Sequence, residues 1–226
     1  GLVGSEMCIR DRHVSTADEV AMFSDAPLPE KRITAEVCVH HLWFCDEDYA
    51  RLGSRIKMNP AVKSRADRDA LRQGLRDGRI DIVATDHAPH LPAEKEGDAL
   101  TAASGAPMVQ FSLPVMLELA DMGVFTHQLV VDKMCHAPAR LYDIMGRGFI
   151  REGYMADLVL VKPGEAYTVT DDMVLSRCGW TPLAGTTLHN RVTDTWVNGH
   201  RACRDGKVDD TVRGTELRYG GKQLEN

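Results

Sequence analysis

The chain of 226 residues is short of three things: aromatic side chains, at 6%, an excess of positive charge, with 27 lysines and arginines against 33 aspartates and glutamates, and long apolar runs. Its net charge of -6 leaves no basic face able to neutralise a phosphate backbone, which excludes nucleic acid as a partner. No run approaches the roughly 18 apolar residues of a membrane span, and no charged-then-apolar secretion leader is recognisable. No membrane contact and a cytoplasmic location are therefore expected. The six cysteines (Cys8, Cys38, Cys45, Cys135, Cys178, Cys203) form no C-x-x-C pair and no compact framework, so they are expected to be reduced and mostly buried. The sequence also lacks any H-x-H pair and any internal repeat.

What is present is the composition of a globular protein, 43% hydrophobic and 27% charged, with length for one domain or two. Residues 1–12, GLVGSEMCIRDR, have no periodic pattern and no helix cap, and the character changes abruptly at His13. They resemble an in-frame translation of a transposon adapter used in sequencing libraries and are expected to be a non-native leader. From His13 to residue 148, short β-rich runs alternate with helical stretches, the signature of βα units around a parallel sheet. Ile33–Val39 and Ile80–Thr85 read as strands buried on both faces, and Arg55–Met58 as a weaker strand. Ser15–Phe23 and Ser64–Asp77 read as capped helices. Val109–Met122 and Leu129–Met145 read as further helices, the second interrupted at Ala137-Pro138. Residues 149–226 read as a small β-rich domain, with a hairpin turning at Asn198-Gly199 and a loose tail from Arg213.

Each strand-like run, and the turn before the first helix, delivers a polar residue at its C-terminal end: His13, His40, Asn59 and Asp86. In a (β/α)₈ barrel that rim is where catalytic groups gather. Two imidazoles and a carboxylate meeting there suit a borderline divalent metal with a position left open for water.

The pieces HVST (His13–Thr16), VHHLWF (Val39–Phe44), KMNP (Lys57–Pro60) and TDHAPH (Thr85–His90) follow one another at intervals suited to successive βα units. With these pieces the chain resembles the dihydroorotases of the amidohydrolase superfamily, over nearly everything after Arg12. The closing ADLVLV and WVNG segments resemble the superfamily's small β-sandwich domain. The resemblance implies an α/β fold: the C-terminal half of a (β/α)₈ TIM barrel, strands five to eight, followed by a β-sandwich segment. It implies a binuclear zinc centre in the intact protein, with His13 and His40 on the second zinc and Asp86 both on the first zinc and acting as catalytic base. Asn59, His90, Ser104 and Gly105 match substrate-binding positions, although the family often has Phe where this chain has Ser104 and proline where it has Val39.

The implied reaction is the reversible interconversion of dihydroorotate and N-carbamoyl-aspartate in pyrimidine biosynthesis, with a small-molecule substrate and a homo-oligomer as partner. The family's first-strand H-x-H pair, its bridging ligand and its carboxylate-gripping arginine have no counterpart in this sequence. The chain alone is accordingly expected to be inactive and prone to aggregate through raw sheet edges. Alternatives are dihydropyrimidinase (hydantoinase) or allantoinase activity, and a non-catalytic dihydroorotase-like partner of aspartate transcarbamoylase. The last is disfavoured because His13, His40 and Asp86 are all retained. His41 and His87 are expected to face away from the site, since neighbouring strand residues alternate sides.

Overall fold

The computed structural model describes residues 9–220. Cys8 and most of the expected leader lie outside the described residues. In chain order the elements are strand β1 (Ile9–Asp11), helix α1 (Ala17–Ala21), strand β2 (Ile33–Cys38) and helices α2 (Val39–Trp43), α3 (Tyr49–Leu52) and α4 (Arg65–Arg76). Strand β3 (Ile82–Ala84) and helices α5 (Ser112–Asp121), α6 (His127–Val131) and α7 (Ala137–Leu141) follow. Four strands complete the described chain: β4 (Leu158–Thr168), β5 (Thr187–Val197), β6 (His200–Arg204) and β7 (Lys207–Val208).

The first three strands form a parallel sheet in the order β1-β2-β3, with Ile9 opposite Ile33 and Glu36 opposite Ile82. Strand β2 is central, and all of it after Ile33 is buried, Thr34 and Glu36 included, as in a strand covered on both faces. Three residues assigned by sequence to the leader thus extend an edge of this sheet. Such pairing uses backbone groups alone. Beyond β1, the Val14 N–H donates to the Glu36 carbonyl at 2.9 Å, which draws the turn carrying His13 against the end of β2.

Two helices begin where the sequence signals them. Thr16 caps α1 in a reciprocal box with Glu19, and Ser64 caps α4 in one with Asp67. The other carboxylate oxygen of Asp67 accepts from the Ala17 N–H at 3.0 Å, tying the starts of the two helices together.

Two local expectations fail. Arg55–Met58 is not a strand: a 3₁₀ turn covers Gly53–Ile56, and Lys57 is extended without a ladder. Strand β3 pairs directly with β2, which leaves this run no sheet position. The helix after residue 126 is not interrupted at Ala137-Pro138; it continues through a π turn over Asp132–His136 into α7. The wider turn accommodates a proline that lacks an N–H and would crowd the preceding turn of a regular helix.

The four later strands form an antiparallel sheet in the order β4-β5-β6-β7. Asn198 and Gly199, with φ of 52° and 82°, turn β5 into β6, the left-handed pair that a type I′ hairpin demands. One hydrophobic core crosses the change from parallel to antiparallel pairing: Trp180, Leu183 and Leu188 pack in the same cluster as Val37, Leu42 and Leu119. The described part of the tail is not loose. The Met145 N–H donates to the Arg218 carbonyl at 2.8 Å, and Arg147 reaches Thr215 at 3.2 Å.

At the end of the sheet opposite the motif residues, Lys31 and Asp81 form a buried ion pair at 2.8 Å. The second Asp81 oxygen accepts from the Ala35 N–H at 2.8 Å, so the pair joins the starts of β2 and β3. No helix among the described residues is long and apolar enough to cross a membrane.

Candidate metal centre

The chain leaves β2 at Cys38 and enters α2 at once, so His40 and His41 belong to a helical turn and not to the strand end. Successive helical residues are rotated by only about 100°, and both imidazoles turn inward. The two rings lie with centroids 4.3 Å apart, and Cys38, His40 and His41 each offer a donor atom within 4.8 Å of the others. The alternation expected to send His41 away does not apply to a helix. All three residues are buried.

Burial, with the nearby His41 and His13, holds the His40 imidazole far below its ordinary range and therefore neutral. His41 is pushed down to about 4, chiefly by burial, with the charges of Lys63 and His13 adding to it and that of Asp86 opposing. His13 is near enough for its charge to act on His40 and His41, and Asp86 for its charge to act on His41 and Cys38. Among the described residues, the donors that close to within 4.8 Å are those of Cys38, His40 and His41, without His13 or Asp86. Burial and the charge of Asp86 also raise the Cys38 thiol.

His13 and Asp86 share a backbone feature. Their φ values are 47° and 43°, the left-handed region that costs a non-glycine residue energy. Each terminates a strand-to-loop passage, His13 after β1 and Asp86 after β3, with His13 half-buried and Asp86 exposed. His40 Nδ1 is buried without a hydrogen-bond partner. A neutral imidazole with an unpaired buried nitrogen, beside a second histidine and a thiol, suits a divalent cation that takes nitrogen and sulfur donors.

Of the residues expected to bind substrate, Asn59, His90, Ser104 and Gly105, two share a cavity that His13, His40 and Asp86 do not line. Asn59 and Ser104 line one cavity of about 540 Å³, together with Tyr49, Lys57 and Asp98. His90 Nε2 donates to the Ser104 carbonyl at 3.0 Å. Gly105 has φ 125°, and a Cβ there would stand 2.5 Å from Ala88 Cβ, so the loop closes only with glycine. His87 turns elsewhere, accepting from the Val109 N–H at 3.3 Å.

Two residues that hold this loop carried no sequence signal. Lys95 is buried, and its ammonium donates to the carbonyls of Lys57, Ala103 and Gly105 at 3.1, 2.7 and 2.8 Å. Burial and the charge of Lys57 bring it down to about 8. Trp180, from the segment between β4 and β5, donates its indole N–H to the His90 carbonyl at 2.7 Å. A lysine in a charged loop and a tryptophan 90 residues away share nothing in sequence that would link them to the site.

The model of the amidohydrolase family matches residues 10–202. The chain belongs to the amidohydrolase family. This amidohydrolase is 43% identical over 152 residues to a dihydroorotase of Halobacterium salinarum, covering 67% of this chain and 36% of that protein. It is 36% identical over 197 residues to a dihydroorotase of Bacillus caldolyticus, covering 87% of this chain and 46% of that one. Among solved structures, the L-hydantoinase (dihydropyrimidinase) of Arthrobacter aurescens superposes with a TM-score of 0.84 at 26% identity, over 93% of this chain and 47% of that one. The chain thus spans less than half the length of these relatives.

Proposed function

We propose that this chain is the C-terminal part of a dihydroorotase, comprising half of a (β/α)₈ barrel that runs from β1 to residue 148 and a β-sandwich segment over 149–226. Its reaction is the reversible ring opening of dihydroorotate to N-carbamoyl-aspartate. The observation that supports the reading is that His13 and Asp86, both in the left-handed region, follow the two strands that flank β2, whose end leads into the buried, neutral His40. The identity to named dihydroorotases supports the choice of substrate.

In this reading His13 and His40 hold one ion of a zinc pair and Asp86 the other. The bound ions supply the Lewis acidity that makes water nucleophilic toward an amide near neutral pH. Asp86 takes a proton from the attacking water and returns it to the leaving ring nitrogen, which departs as the terminal NH2 of the open ureide while the attacked carbonyl carbon becomes a carboxylate. Asn59 can donate and accept along the ureide, and His90 faces the substrate carboxylate. The backbone of Ser104-Gly105 closes over the ring.

The test is cyclisation of N-carbamoyl-aspartate by this chain extended at its N-terminus to the length of its relatives. Activity that falls at least about a thousandfold with Asp86→Asn is expected, the scale on which removal of an acid–base group acts. Unchanged turnover in Asp86→Asn would refute the assignment. The superposition on the L-hydantoinase favours one second reading, a dihydropyrimidinase. A panel containing hydantoin, dihydrouracil and dihydroorotate separates the two.

A further inference from the structure

We propose that Cys38, His40 and His41 form a three-donor site for a single thiophilic divalent cation, completed entirely within this chain. Cys38 and His41 have no place in the centre proposed above, and the new site shares only His40 with it. Two observations converge. The donor atoms lie within 4.8 Å of one another, against the roughly 3.3–3.8 Å separating donors around a tetrahedral zinc, so modest side-chain rotation closes the set.

The tautomer of His41 is fixed. A carbonyl only accepts, so the 3.0 Å contact to Pro60 O requires the proton on Nε2 and leaves the lone pair on Nδ1. That Nδ1 is buried without a hydrogen-bond partner, as is Nδ1 of His40. An imidazole whose far nitrogen is held by a backbone carbonyl is the usual arrangement behind a metal ligand.

Two neutral nitrogens and one sulfur select zinc, cadmium or cobalt over calcium or magnesium. On binding, the Cys38 S–H proton passes to water as the sulfur–metal bond forms, so one proton leaves per cation. A cation so held engages His40, so thiophilic metals compete with the rim centre for that ligand. The site does not depend on amide hydrolysis, and an inactive protein would leave it standing.

The test is Co²⁺ titration of the full chain carrying Cys8→Ser, Cys135→Ser and Cys203→Ser. A near-ultraviolet thiolate-to-cobalt band saturating at one equivalent is expected. Cys38→Ser removes the band, while His41→Gln, which keeps a donor for Pro60 O, weakens binding about tenfold or more. His13→Ala leaves the band in place. Far-ultraviolet circular dichroism of Cys38→Ser matching the parent assigns the loss to the ligand and not to the fold. The proposal is overturned by the absence of any band, by a band that survives Cys38→Ser, or by one lost with His13→Ala.

Discussion

At the scale of single residues, burial decides which groups are available for chemistry. His41 stays neutral down to about 4 in the folded chain, whereas an unfolded imidazole protonates near 6.5. Between those values the unfolded state binds more protons, so stability is lost as pH falls from 6.5 toward 4, by about 3 kcal/mol from His41 alone. Denaturation midpoints of chelator-treated protein at pH 7 and pH 5 should show this fall, and His41→Gln should reduce it. Equal midpoints in the parent would contradict the buried, neutral imidazole. Lys95 acts through three carbonyls, and Lys95→Met strands all of them. A loss of about 2 kcal/mol is expected, together with a raised KM in the extended protein as the Ser104-Gly105 loop slackens. Lys95→Arg should recover part of both, and a methionine variant with the parent's KM would show that the loop does not need its anchor.

At the scale of elements, packing outweighs propensity. Gly74, inside α4, faces α1, and a Cβ there would stand 2.7 Å from Val20 Cγ1. Gly74→Ala gains about 1 kcal/mol of helix propensity and meets overpacking of about 1–3 kcal/mol. A net loss of about 1 kcal/mol is expected in urea denaturation, and a stabilised variant would show that α1 moves aside freely. Between β2 and β3, Lys31→Met leaves Asp81 charged and buried without its ion-pair partner, for an expected loss of about 3–5 kcal/mol. Capped helices, the β2 run and the Asn198-Gly199 turn were legible because each is written in a local pattern. Arg55–Met58 was misread because its β-prone residues have no neighbouring strand to pair with. The passage through Pro138 was misread because the π turn that admits a proline leaves no mark in composition.

At the scale of the whole molecule, elements far apart in sequence are brought side by side. His13, His40 and Asp86 follow three parallel neighbours, and the segment after β4 reaches back through Trp180 to hold the loop of His90. That His13, His40 and Asp86 follow the ends of adjacent parallel strands was legible from order and spacing. The inward turn of His41 was not, because the sequence does not reveal that the strand ends at Cys38 and a helix begins. The roles of Lys95 and Trp180 depend on contacts that only folding creates. The most direct test of the rim is an anomalous difference map at the zinc edge, from crystals of the chain extended to its relatives' length. The account predicts peaks at the rim bounded by His13, His40 and Asp86; zinc bound elsewhere with that rim empty would contradict it.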